Sequence, residues 1–118
     1  MTETTVKKVQ SSQSPIGSMG QAYLVAGKTL SMRLWDAAES LPDEKTYRER
    51  DYETLGYVLE GHAELETEDQ KIDLGPGDSW IVPAHVRHRY RVREGFRAVE
   101  ATSPPAEFHD RDKPASPA

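Results

Sequence analysis

The sequence predicts an all-β protein, a sandwich or barrel of short antiparallel strands. Three observations carry this. Apolar residues recur with period two in about nine short runs, the alternation of strands with one buried face. Turn signals built on Gly, Pro, Asp and Ser separate these runs at roughly eight- to twelve-residue intervals. No stretch shows a strong 3.6-residue period, although residues 36–47 admit a helical turn.

Composition narrows the classes of function. The chain has 118 residues, the length of a single domain. Fifteen basic residues against twenty acidic ones give a net charge of −5. No one-sided basic stripe stands out, which argues against nucleic acid or an anionic membrane as a partner. With no cysteine, disulfides, thiolate metal sites and thiol nucleophiles are excluded. No apolar run has the length of a membrane span or a signal-peptide core, so a cytoplasmic protein is expected.

In chain order, residues 1–18 are polar and read as a flexible arm, one that could also pair with a partner's sheet edge. Residues 22–26 form a short apolar run bounded by glycines, a strand. Leu30, Met32 and Leu34 alternate with Ser31, Arg33 and Trp35, the pattern of a half-buried strand. Residues 37–45 carry Pro42 and connect. The segment 46–51 alternates charges, with Arg48 and Arg50 on one parity and Glu49 and Asp51 on the other. A strand over 53–59 turns at Glu60-Gly61 into a hairpin partner, in which Ala63 and Leu65 alternate with Glu64 and Glu66. Residues 71–74 are short and extended, 96–101 form the last strand, and 104–118 read as a flexible tail. The expected domain is therefore 19–103.

Between these lies the most specific stretch, Gly75 to Tyr90. Gly75-Pro76-Gly77-Asp78 makes a tight turn, in which glycine accepts positive φ and aspartate can bond nearby backbone N–H groups. Trp80-Ile81-Val82 is a strand stopped by Pro83, which has no N–H to give a ladder. His88 to Val92 returns as a strand. The spacing Gly77, Pro83, His88 resembles the second motif of the cupin superfamily, with His85 where a second glycine usually sits. Tyr57 to Gly61 resembles the end of the first motif. The resemblance covers roughly residues 46–92 and implies a double-stranded β-helix barrel of the small single-domain, RmlC-like kind. Small barrels of this kind present sheet edges and apolar outer faces, so a homodimer is expected.

The resemblance breaks at the metal. Cupins typically hold one with three imidazoles and a carboxylate, and Gly61 sets the register. The acidic position then falls on Thr54, and the two histidines are replaced by Arg48 and Arg50 in the shorter spacing or by Tyr47 and Glu49 in the longer. Arginine stays protonated and repels a dication, which leaves His88 as the one matching ligand. No metal and no cofactor are expected. A set rebuilt from Glu49, Glu53 and His85 is the competing arrangement.

In a small barrel, side chains of one parity point inward, so Arg48 and Arg50 are expected to converge with His88 and Tyr90. The reading is a pocket for a small anionic organic molecule such as a sugar acid or keto acid. Arg48, Arg50, Thr54 and Trp80 would bind it, and His88 and Tyr90 would orient it or move protons. The alternatives are a metal-dependent cupin dioxygenase or lyase and a non-catalytic sensing or structural cupin. The competing reading of Arg48 and Arg50 is structural, as cross-strand partners of the many acidic side chains.

Overall fold

The computed structural model describes residues 6–17, 20–37 and 45–106. Eight strands appear in it: β1 (Ala22–Ala26), β2 (Ser31–Ala37), β3 (Glu53–Glu60), β4 (Ala63–Thr67), β5 (Lys71–Leu74), β6 (Ser79–Val82), β7 (His88–Val92) and β8 (Phe96–Ser103). They form a five-stranded sheet in the order β1-β2-β8-β3-β6 and a three-stranded sheet in the order β5-β4-β7. All the pairings are antiparallel. The connection expected over 37–45 and the tail beyond 106 lie almost wholly outside the described residues. The 46–51 segment is no full strand, but Arg48 makes an isolated antiparallel bridge to His88. Among the described residues no helix is long and apolar enough to cross a membrane.

The two sheets pack face to face over one core. Trp35, Val58, Val82, Phe96 and Ala98 enter it from the large sheet, and Ala63, Leu65, Leu74 and Val92 from the small one. Full burial of side chains the size of Leu65 or Phe96 contributes about 1.5–3 kcal/mol each. Two turns fix the hairpins. Gly61 has φ +76°, and a Cβ there would stand 2.5 Å from the Gly95 carbonyl oxygen, so no larger residue fits. At the β5–β6 turn, Gly75 N–H donates to Asp78 Oδ2 at 2.8 Å and Asp78 N–H to Gly75 O at 2.9 Å.

The alternation on β2 resolves in an unexpected sense. Ser31, Arg33, Trp35 and Ala37 are the buried set, while Leu30 and Met32 point outward. The same inversion runs across the large sheet, because the registers align Met32, Ala101, Leu55 and Ile81 in one outer row. The next outer row aligns Leu34, Val99 and Tyr57. This outer face is apolar and uncovered: Leu55, Tyr57 and Ile81 are 49%, 47% and 52% exposed. The inner face of the same sheet, by contrast, carries charge.

Candidate functional site

The inner rows of the large sheet can be read from the register. Ser31, Thr102, Thr54 and Val82 form one row, and Arg33, Glu100, Gly56 and Trp80 the next. Gly56 has no side chain because the Trp80 indole lies over it. A Cβ at Gly56 would come within 2.3 Å of two of the ring carbons. From there Trp80 Nε1 donates to the Tyr90 hydroxyl, 3.2 Å away on the opposing sheet.

Tyr90 connects this row to the histidine. Its ring meets His88 edge-on, with centroids 5.5 Å apart, and tilts against Trp35 at 6.4 Å. Enclosure by the barrel, and then the Glu100 charge, push the Tyr90 hydroxyl far above the usual phenol range. Tyr90 therefore stays protonated: its oxygen accepts from Trp80 Nε1 and its O–H remains a donor group. His88 Nδ1 lies 2.8 Å from the Val86 carbonyl, which can only accept, so Nδ1 carries the proton. In the neutral ring the basic lone pair is then on Nε2.

Arg48 sits directly across from His88. The pair exchanges both backbone bonds, Arg48 N–H to His88 O at 2.7 Å and His88 N–H to Arg48 O at 2.9 Å. Opposed residues in an antiparallel bridge project to the same side, so guanidinium and imidazole are neighbours on the inner face. Burial then alternates along the segment: Arg50 and Tyr52 are buried, Glu49 and Asp51 exposed. Arg50 is held by His85 N–H donating to its carbonyl at 2.7 Å, and the Tyr52 hydroxyl accepts from Arg33 Nη1 at 3.1 Å.

The structure thus places Arg48, His88, Tyr90 and Trp80 in one continuous line of neighbours, with Arg50 on the same inward parity. Thr54 lies in the adjacent row, opposite Thr102, whose hydroxyl is 2.9 Å from that of Ser31. Three inward residues escape the sequence motifs: Arg33, Tyr52 and Glu100. Glu100 Oε1 accepts from Arg33 Nε at 2.5 Å and from Trp35 Nε1 at 2.6 Å. The signal available for them was shared parity, since Arg33 falls on the parity of Trp35 and Glu100 on that of Phe96 and Ala98. Leu65, Thr67, Ile72, Ile81, Val86 and Arg87 help to line a groove of about 460 Å³ beside the β4–β5 turn, and Thr67 lies directly opposite His88 in the β4–β7 register.

The donor set does not suit a divalent cation. Arg48, directly across from His88, brings a guanidinium to a place where a neutral or anionic ligand is needed. Among the described residues no three His, Asp or Glu side chains gather as a metal site. The competing set comes together only in part: His85 Nδ1 meets Glu49 Oε1 at 3.3 Å on the surface, Glu53 is exposed at the start of β3, and the three do not gather as one site. His85 itself has φ +68°, so the position that is usually glycine keeps its left-handed backbone here.

A two-sheet antiparallel barrel with histidine, arginines and aromatic side chains facing inward defines a double-stranded β-helix protein. Residues 40–103, more than half of the chain, match the family model described as Cupin domain, and the protein belongs to the cupin family. It is similar in structure to an RmlC-like cupin from Shewanella frigidimarina, with TM-score 0.71 and 20% identity over 87% of this chain and 95% of that one. A cupin superfamily protein from Desulfitobacterium hafniense gives TM-score 0.61 and 26% identity, over 82% and 83% of the two chains. The polyketide cyclase RemF from Streptomyces resistomycificus gives TM-score 0.66 at 16% identity, over 85% and 80%. No curated protein matches the chain.

Proposed function

We propose that the protein is a metal-independent cupin whose barrel binds a small anionic organic molecule, such as a sugar acid or keto acid. The observation that carries this is the hydrogen-bonded Arg48–His88 pair, which sets a guanidinium beside an imidazole on the inner wall. Arg48 and Arg50 grip the carboxylate, whose two oxygens match the planar guanidinium fork. Among the described inward-facing residues three arginines stand against one glutamate, so the interior favours an anion. Trp80 and Thr54 bound the pocket. His88 Nε2 accepts a proton from the bound molecule or returns one, and the Tyr90 hydroxyl donates to it. The fold of a polyketide cyclase supports a barrel of this kind holding an organic molecule.

The test is a thermal-shift and calorimetric screen of sugar acids, keto acids and sugar phosphates on wild type, Arg48→Ala, Arg50→Ala and His88→Ala. A partly buried arginine–carboxylate bond contributes about 1.5–3 kcal/mol, so either arginine variant should bind roughly ten- to a hundredfold more weakly. Arg48→Lys should also weaken binding, because a point charge lacks the fork. Ligands that persist unchanged in all three alanine variants would place the pocket elsewhere. Arginine variants that lower the melting temperature without altering any ligand's affinity would make the pair structural. Turnover that depends on added metal would favour the dioxygenase or lyase class instead.

A further inference from the structure

The barrel interior holds a carboxylate to which the binding mode above assigns no role. Glu100 lies on the inward parity of β8 and is 2% exposed. Its two oxygens are treated differently. Oε1 takes Arg33 Nε and Trp35 Nε1, at 2.5 and 2.6 Å. Oε2 is enclosed and accepts no hydrogen bond. Burying a charge is unfavourable unless its hydrogen-bonding capacity is met, and apolar residues of similar volume often fill such a site without loss. A side chain that is anchored through one oxygen and left with open lone pairs on the other is set up as an acceptor.

The surroundings fit that role. Arg33 is itself fixed by the Tyr52 hydroxyl at 3.1 Å, so the anchor does not swing. Glu100 shares its inner row with Trp80, which holds the Tyr90 hydroxyl, and the Glu100 charge acts on that same hydroxyl. The acceptor therefore lies deeper in the same barrel as His88 and Arg48. Oε2 is closed to water as well, so a donor reaches it only by displacing a neighbouring side chain. A molecule without a donor gains nothing from that displacement.

We infer that Glu100 Oε2 accepts a hydrogen bond from a hydroxyl of the bound molecule, which makes the ligand a hydroxy acid: carboxylate toward Arg48 and Arg50, hydroxyl toward Glu100. This rests on the reading that the barrel binds a small carboxylate. Titration calorimetry with matched acids tests it, using lactate against propionate and gluconate against hexanoate, on wild type and Glu100→Gln. In wild type the hydroxylated member should bind at least tenfold more tightly. In Glu100→Gln that preference should fall to within about threefold, while the deoxy acid still binds. If Glu100→Gln does not fold, Glu100→Asp retracts the carboxylate by one methylene and must lose the same preference. Wild type that binds both members equally, or a variant that weakens both equally, overturns the inference while leaving the carboxylate site standing. Failure of every acid to bind overturns the carboxylate site and this inference together.

Discussion

Gly56→Ala tests the geometry that positions the interior site. The added methyl would stand 2.3 Å from Trp80 ring carbons, well inside contact distance, and the backbone on either side is tied into β6 and β8. The indole must therefore move, and with it the 3.2 Å bond from Nε1 to the Tyr90 hydroxyl. Overpacking of this kind costs about 1–3 kcal/mol and a lost buried hydrogen bond about 1 kcal/mol more. The sum, about 2–4 kcal/mol, corresponds to a melting temperature lower by roughly 10 °C or more in a domain of this size. Thermal melts followed by circular dichroism give the stability, and the near-ultraviolet tryptophan bands report the indole. The substitution should be repeated in a Trp80→Leu background, where the clash is gone and the cost should drop to about 0.5 kcal/mol or less. An equal cost in both backgrounds, or a Gly56→Ala protein within about 0.5 kcal/mol of wild type, would refute the reasoning.

Three further outcomes are expected. Tyr90→Phe leaves Trp80 Nε1 without its acceptor and should lower stability by about 1–2 kcal/mol in chemical denaturation, with little change in the denaturant slope. The uncovered outer rows of the large sheet are proposed to be where two copies meet, so light scattering should give a dimer for wild type and a monomer for Leu55→Glu. A monomeric wild type would remove that role. Glu64 bonds Lys71, which holds its carboxyl below the usual carboxylate range, aided by Arg93 and Arg91. Because the folded value is the lower one, its contribution to stability is present above the ordinary carboxylate pKa. That contribution is lost as the pH falls through the folded value. A carbon-13 NMR titration should place Glu64 below an unpaired glutamate, and Lys71→Met should move it back up.

Local chemistry made most of the fold legible. The Gly75–Asp78 turn, the stop at Pro83 and the return through His88 each depend on residues within a few positions of one another, and all appear in the structure. The inward parity of Arg48 and Arg50 was readable for the same reason, since alternation is a property of the segment itself. Arg33 and Glu100 were not readable as a pair. They meet across β2 and β8 from 67 residues apart, and a charged residue within an apolar alternation reads equally well as the solvent face. On β2 the apolar parity pointed the wrong way, because the outer side of this sheet is as apolar as the inner. Gly56 carried a hint, since glycine inside a strand often marks a close approach. The partner that approaches, Trp80, lies on another strand.

The most direct measurement is a high-resolution diffraction structure of protein taken from cells without added ligand, with attention to the density beside His88. The account predicts an organic carboxylate held by Arg48 and Arg50, with the Tyr90 hydroxyl directed at it. A metal ion bound to His88, or a molecule seated only in the groove beside Leu65 and Arg87, would contradict it.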